Sequence, residues 1–204
     1  MTILTRKDFE KIFYSKKKSR EKEPIQELFR IADGYFKVIE KELDNLKPVV
    51  LFAGLGLTGA LAYALAQILF EHKYDTTVVD IYSIYPPIKR EIIKKYYGKT
   101  IRYNEFKNLK ENPNAVNIDA MWGLEYIKGS EGYLDEIYAL YNNHSGLKIS
   151  LEGNSGLNIN SGYTTEDYIV SDITISTYGS KVGFYINQGK DIIKKLVINL
   201  PIKE

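Results

Sequence analysis

The chain has 204 residues, 44% of them apolar, and its 28 basic and 26 acidic side chains leave a net charge of +2. That length suits one domain with a sizeable core, and so balanced a charge predicts neither a nucleic-acid nor a membrane partner. The absence of cysteine, with only two histidines, excludes disulfides, thiolate metal sites and thiol nucleophiles, and no metal site is predicted.

No uninterrupted apolar run reaches the roughly 20 residues that a membrane span needs. Charges fill residues 1–22, where a signal peptide would need an apolar centre. The expected location is therefore cytoplasmic.

The chain opens on helical patterns. Residues 6–14 read as a short helix, and Pro24 suits the first turn of a longer one. In the second helix Ile25, Leu28, Phe29, Ala32, Tyr35, Phe36, Ile39 and Leu43 recur at helical spacing, making an apolar face that must be covered. The sheet or a second copy of the chain would cover it, so a homodimer is an expectation. Between the helices, the basic run 16–22 is diluted by Glu21 and lacks interleaved aromatics, and it reads as a solvated connector. Residues 1–47 are accordingly a helical extension, and residues 48–204 a separate cofactor-binding domain.

From Pro48 onward, short apolar runs alternate with helical segments, which predicts an α/β fold with a mostly parallel, Rossmann-like sheet. Strands are expected at 48–53, 76–81, 100–103, 115–120 and 147–151, with helices at 58–70, 88–97 and 132–142. Beyond 168 the β-branched and aromatic runs 168–177, 182–187 and 196–200, separated by glycines, predict antiparallel additions, although 191–195 would also make one helical turn.

The most informative motif lies between the first strand and its helix: Gly54, Gly56 and Gly59 make a GxGxxG turn, with Leu57 and Thr58 inside it. Such a turn lets backbone approach a ligand and aims helix N–H groups at it; the plainer reading is close packing of helix on sheet. Asp80 ends the second strand, where a carboxylate hydrogen-bonds ribose hydroxyls, unless it only caps the turn that follows. With Ile81 it completes half of an adenosine site. There is no lysine in the turn, which excludes a P-loop, and no HExxH, GxSxG or EF-hand pattern occurs.

Ligands in such sheets sit at the carboxyl ends of the strands, so the residues just past each strand matter most. Asp119 and Ala120 end the fourth strand and join the cofactor candidates. Trp122 would stack on a flat substrate ring or serve as core. Glu152 and Asn154 after the fifth strand would orient a small-molecule substrate or take a proton. The turn and Asp80 suit NAD and S-adenosylmethionine equally. No convincing catalytic His–Asp or Tyr–x–x–x–Lys arrangement speaks for a dehydrogenase, and Phe52 stands where common methyltransferases carry an acid. A nucleotide-binding protein without catalysis is the third possibility.

The segments Leu57-Thr58-Gly59-Ala60 and Thr77-Val78-Val79-Asp80-Ile81-Tyr82, with Ile118-Asp119 and Thr177-Tyr178-Gly179, resemble the methyltransferases of iron-guanylylpyridinol cofactor biosynthesis in methanogenic archaea, which mature the iron-only hydrogenase. The resemblance runs from about residue 46 onward. It implies a Rossmann-like methyltransferase that uses S-adenosylmethionine on a pyridinol-like acceptor; on the turn and Asp80 alone, an NAD-dependent oxidoreductase is the alternative. It places the methyl donor on the glycine turn and Asp80, and Thr177 and Tyr178 beside the acceptor as catalytic residues. Ser180-Lys181-Val182-Gly183 departs from that family's pattern, as does the short chain.

Overall fold

The computed structural model describes residues 2–15, 23–43, 47–108, 112–125 and 133–201; the basic run 16–22 lies outside them. The chain starts with a two-residue strand, β1 (Ile3–Leu4), and helix α1 (Arg6–Ser15). Thr5 and Asp8 cap α1 reciprocally: the Asp8 N–H donates to Thr5 Oγ1 at 3.2 Å and the Thr5 N–H to Asp8 Oδ2 at 3.0 Å. Helix α2 (Glu23–Ile39) follows.

The sheet begins at β2 (Val49–Ala53) and continues through α3 (Leu57–Glu71), β3 (Thr76–Asp80), α4 (Pro87–Ile93), β4 (Lys99–Arg102), α5 (Tyr103–Phe106), β5 (Val116–Ala120), α6 (Tyr133–Asn143) and β6 (Leu147–Leu151). The C-terminal part holds β7 (Ile173–Thr177), β8 (Ser180–Lys181), α7 (Gly189–Ile192) and β9 (Leu196–Asn199). Seven strands pair in the order β4-β3-β2-β5-β6-β7-β9, and β1 pairs with β8 alongside. The first six strands of that order follow the 3-2-1-4-5-6 arrangement of a Rossmann-like fold.

Every ladder in the large sheet is parallel, β6 with β7 and β7 with β9 included. The expected antiparallel C-terminal strands are not formed. The segment 178–195 spends its residues on β8, a 3-10 turn at Val182–Phe184 and α7, which carry the chain back to the end of the sheet where β7 starts, so that β9 can run parallel to it. Residues 182–187 are thus turn rather than strand, and the strand expected at 168–177 begins only at Ile173.

Burial on both faces explains why the inner strands are almost wholly apolar. Val49, Leu51, Ala53, Val116 and Ile118 join the core beneath α2 and α3. Phe52, Val79, Ile101 and Met121 face the other core, with Leu134, Ile137 and Tyr141 of α6. Helix α3 is buried at every position from Thr58 to Leu69, as a helix enclosed on all sides must be. It packs between the sheet, α2 and α4.

The apolar face of α2 is covered within the chain: Leu28, Ile31, Ala32, Tyr35 and Ile39 are buried, and the helix contacts α3 and β9. The face that suggested a second copy is therefore already occupied. None of the described helices is long and apolar enough to cross a membrane.

Candidate functional site

The strand order reverses between β2 and β5, so the crevice expected to take a ligand lies between residues 54–57 and 121–125. Its walls meet closely. The Gly54 N–H donates to the Ala120 carbonyl at 3.1 Å, and a Cβ on Gly54 would stand 1.7 Å from the Met121 oxygen. One on Gly59 would stand 2.0 Å from the Gly54 oxygen. These two glycines let backbone lie against backbone.

Gly56 faces a side chain instead, since its Cβ would meet Glu125 Oε1 at 2.4 Å. That carboxylate accepts the Leu57 N–H at 2.8 Å on Oε1 and the Thr58 hydroxyl at 2.8 Å on Oε2. Glu125 thus supplies the negative charge that the start of α3 favours. Thr58 Oγ1 also accepts the Leu124 N–H at 3.1 Å, tying the two walls together.

Burial pushes the Glu125 carboxyl above the ordinary glutamate value, against the pull of Thr58, Leu57 and, through space, Arg6. A carboxyl raised in the folded state binds its proton more tightly there than in the unfolded chain. Its contribution to stability therefore falls as pH rises from the ordinary glutamate value through the raised one. Glu125→Gln removes this fall. Urea midpoints measured from pH 4 to 7 should shift in favour of the variant as pH rises, and a shift in favour of the native chain would contradict this origin.

Asp80 is completely buried and its carboxylate is engaged on both oxygens. Lys89, equally buried, reaches Oδ1 at 2.7 Å and also donates to the Gly54 carbonyl at 2.7 Å. The Tyr63 hydroxyl donates to Oδ2 at 3.0 Å, and Arg102 NH1 stands 3.5 Å from the same oxygen. Burial lowers the Lys89 ammonium and Asp80 raises it, with burial the larger effect. Ile81 is buried beside this cluster, and its carbonyl accepts the Tyr133 hydroxyl at 3.0 Å.

Asp119 organises the next two loops. Its Oδ2 accepts the Ser155 N–H at 2.8 Å and the Ser150 hydroxyl at 2.9 Å, and its Oδ1 accepts the Ser155 hydroxyl at 2.6 Å and the Met121 N–H at 3.1 Å. Burial raises this carboxyl, and the four donors oppose the rise. Ser155 Oγ in turn accepts the Trp122 N–H at 2.9 Å. The Trp122 ring is buried, edge-on to Tyr82 at 5.3 Å. Asn154 ties its loop to the segment before β7 and to β7 itself: it donates to the Ile169 carbonyl at 3.0 Å and accepts the Thr174 hydroxyl at 2.7 Å.

Glu152 and Thr177 come together around a residue named above only for its place in the sequence, Lys181. Glu152 and Lys181 are wholly buried, with Lys181 Nζ 2.9 Å from Glu152 Oε2. The ammonium also donates to Ser176 Oγ at 2.6 Å and to the Thr177 carbonyl at 3.2 Å. Glu152 accepts the Thr177 N–H at 3.1 Å and the Tyr35 hydroxyl, and Thr177 Oγ1 lies 3.0 Å from that hydroxyl. Burial and the adjacent carboxylate push the Tyr35 phenol well up, so it remains a donor.

Glu152 holds φ at 67° and Tyr178 at 65°, backbone that non-glycine residues seldom adopt. Such strain persists where surrounding structure enforces it, and it concentrates at functional sites. The Tyr178 hydroxyl donates to Glu27 of α2, away from Glu152, and its ring tilts against Phe9 at 5.4 Å. Phe9 also lies 5.2 Å from Lys181 Nζ, so α1 closes over the pair.

Sequence reasoning missed Lys89, Glu125, Tyr35 and Lys181. The available signal was indirect: a carboxylate at the end of a fully buried strand needs a cation or several donors, and both lysines follow such strands.

A family model described as "YjeF-related protein N-terminus" matches residues 27–183. NAD(P)H-hydrate epimerases of Limosilactobacillus reuteri, from strains DSM 20016 and ATCC 55730 / SD2112, are 28% identical over 158 residues, covering 75% of this chain and 73% of each relative. A crystal structure of yeast ynu0 aligns with a TM-score of 0.73 at 15% identity, covering 97% of this chain and 87% of that one, which shows a common fold.

These matches overturn the methyltransferase expectation and, with it, S-adenosylmethionine as cofactor and the guanylylpyridinol resemblance. That resemblance rested on a glycine turn, an acid and a strand end, features that parallel nucleotide-type sheets share whatever their chemistry. The oxidoreductase alternative has only a nicotinamide dinucleotide in common with the relatives' name. By a match across most of its length, the chain belongs to the family of YjeF-related protein N-termini.

Proposed function

We propose that this chain interconverts the epimers of hydrated NADH or NADPH, the reaction for which its curated relatives are named. The observation that carries the reading is the Glu152–Lys181 pair, set by strained backbone at the carboxyl ends of β6 and β7. A small-molecule substrate goes with the relatives' reaction. In this assignment the dinucleotide lies along the half-buried Gly56 and Leu57 of the turn, which the buried Gly54, Thr58, Gly59 and Ala120 hold in place from behind.

The chemistry asks for what the pair offers. Hydration of a dihydronicotinamide ring puts a hydroxyl on a carbon next to the ring nitrogen. Inversion breaks that C–O bond: the nitrogen lone pair forms a C=N⁺ bond while a proton reaches the departing oxygen, which leaves as water. Water then adds from the other face, the electron pair returns to nitrogen, and one proton is lost. Nothing is oxidised or reduced, and the proton count closes. Lys181 supplies the first proton, and Glu152, held by Tyr35 and Thr177, takes up the second.

The test is whether the native chain, at catalytic concentration, brings one isolated epimer of hydrated NADPH to a mixture of both, followed by proton NMR. Conversion faster than in protein-free buffer supports the reading, and conversion at the buffer rate contradicts it.

A further inference from the structure

This inference rests on that reading and concerns which dinucleotide is preferred. In sheets of this strand order, a free carboxylate at the end of the strand after the glycine-turn helix receives the ribose hydroxyls, whereas an arginine nearby accommodates a 2′-phosphate. Asp80 stands at that position, but its oxygens are taken by Lys89 and Tyr63 and it is buried. The group that reaches solvent there is Arg102.

Arg102 ends β4 in register with Asp80, and its side chain is 45% exposed. NH1 donates to the Tyr82 carbonyl at 3.0 Å and stands 3.5 Å from Asp80 Oδ2, and the guanidinium lies 5.7 Å from the centre of the Tyr85 ring and bonds that side chain, so its position is fixed while nearly half of the side chain remains exposed. Lys89 and Arg102 together outweigh the single charge of Asp80. Glu105 accepts the Arg102 backbone N–H at 2.9 Å. A fixed, exposed guanidinium suits a phosphate dianion better than a hydroxyl.

We propose that Arg102 receives the 2′-phosphate of the NADPH form, so that this chain prefers hydrated NADPH to hydrated NADH. Lys89 contributes by charge: paired with Asp80 at 2.7 Å, it offsets the carboxylate that would otherwise repel the phosphate.

Calorimetric titration of the full chain with 2′-phospho-ADP-ribose and with ADP-ribose tests this. The phosphorylated compound should bind at least about tenfold tighter, a difference of about 1.4 kcal/mol. Arg102→Ala should bring the ratio near one, with ADP-ribose affinity unchanged, and Arg102→Lys should keep part of the preference. Equal affinities for the native chain would overturn the preference and leave the dinucleotide reading standing. Failure of both compounds to bind would overturn that reading as well. Inorganic phosphate competing as strongly as 2′-phospho-ADP-ribose would reduce Arg102 to a general anion contact and overturn the proposal.

Discussion

Lys181→Met should abolish epimerisation, by at least about a hundredfold in rate, and lower stability by about 3–5 kcal/mol, because it leaves Glu152 buried without its cation. Methionine fills a similar volume, so packing against Phe9 changes little and the loss comes from charge. Urea denaturation measures the stability, and the double variant Glu152→Gln/Lys181→Met separates two roles. Removing both charges should restore much of the stability, since a neutral amide can still accept the Thr177 N–H and the Tyr35 hydroxyl. Activity should stay lost. A stable double variant with native activity would show that the pair only supports the fold.

The second large effect is expected at Gly54→Ala. The added methyl would stand 1.7 Å from the Met121 oxygen, a backbone atom held by its strand, so the ends of β2 and β5 must separate. A cost of about 3 kcal/mol or more follows from such overpacking, a drop in melting temperature of about 6–12 °C for a chain of this size. Gly56→Ala is the comparison, because its methyl meets the Glu125 side chain, whose displacement costs its bonds to Leu57 and Thr58 but moves no strand. A smaller drop for Gly54→Ala than for Gly56→Ala would contradict the backbone contact as the reason for glycine at position 54.

The sequence made β2, α3 and β3 readable because each is strongly patterned: two apolar runs around a glycine turn and an alanine-rich helix, all enclosed by other layers. The direction of β7 and β9 was not readable in the same way, since strand periodicity is the same in parallel and antiparallel pairs and the deciding crossover through 178–195 is irregular. Asp80 illustrates the limit at the site. Its place at a strand end was plain, but whether its oxygens faced a ribose or a lysine depended on where Lys89 of α4 folds, a tertiary fact with no local mark. Lys181 and Tyr35 are far apart in the chain and meet at Glu152 only once α2 and the loop after β7 are in place.

The glycine turn changes meaning most. Its sequence suggested an anion site, and the structure fills the first N–H of α3 with Glu125. A dinucleotide lying across this edge would meet that carboxylate, while Arg102 waits at the ribose end.

Inversion at a single carbon of the substrate is the defining step of the proposed activity. One isolated epimer of hydrated NADPH, given a catalytic amount of the native chain in ¹⁸O-labelled water, should yield the opposite epimer well ahead of the protein-free rate, with label in the hydroxyl of each inverted molecule. An epimer that inverts no faster than in buffer, or inverts without taking up label, would contradict it.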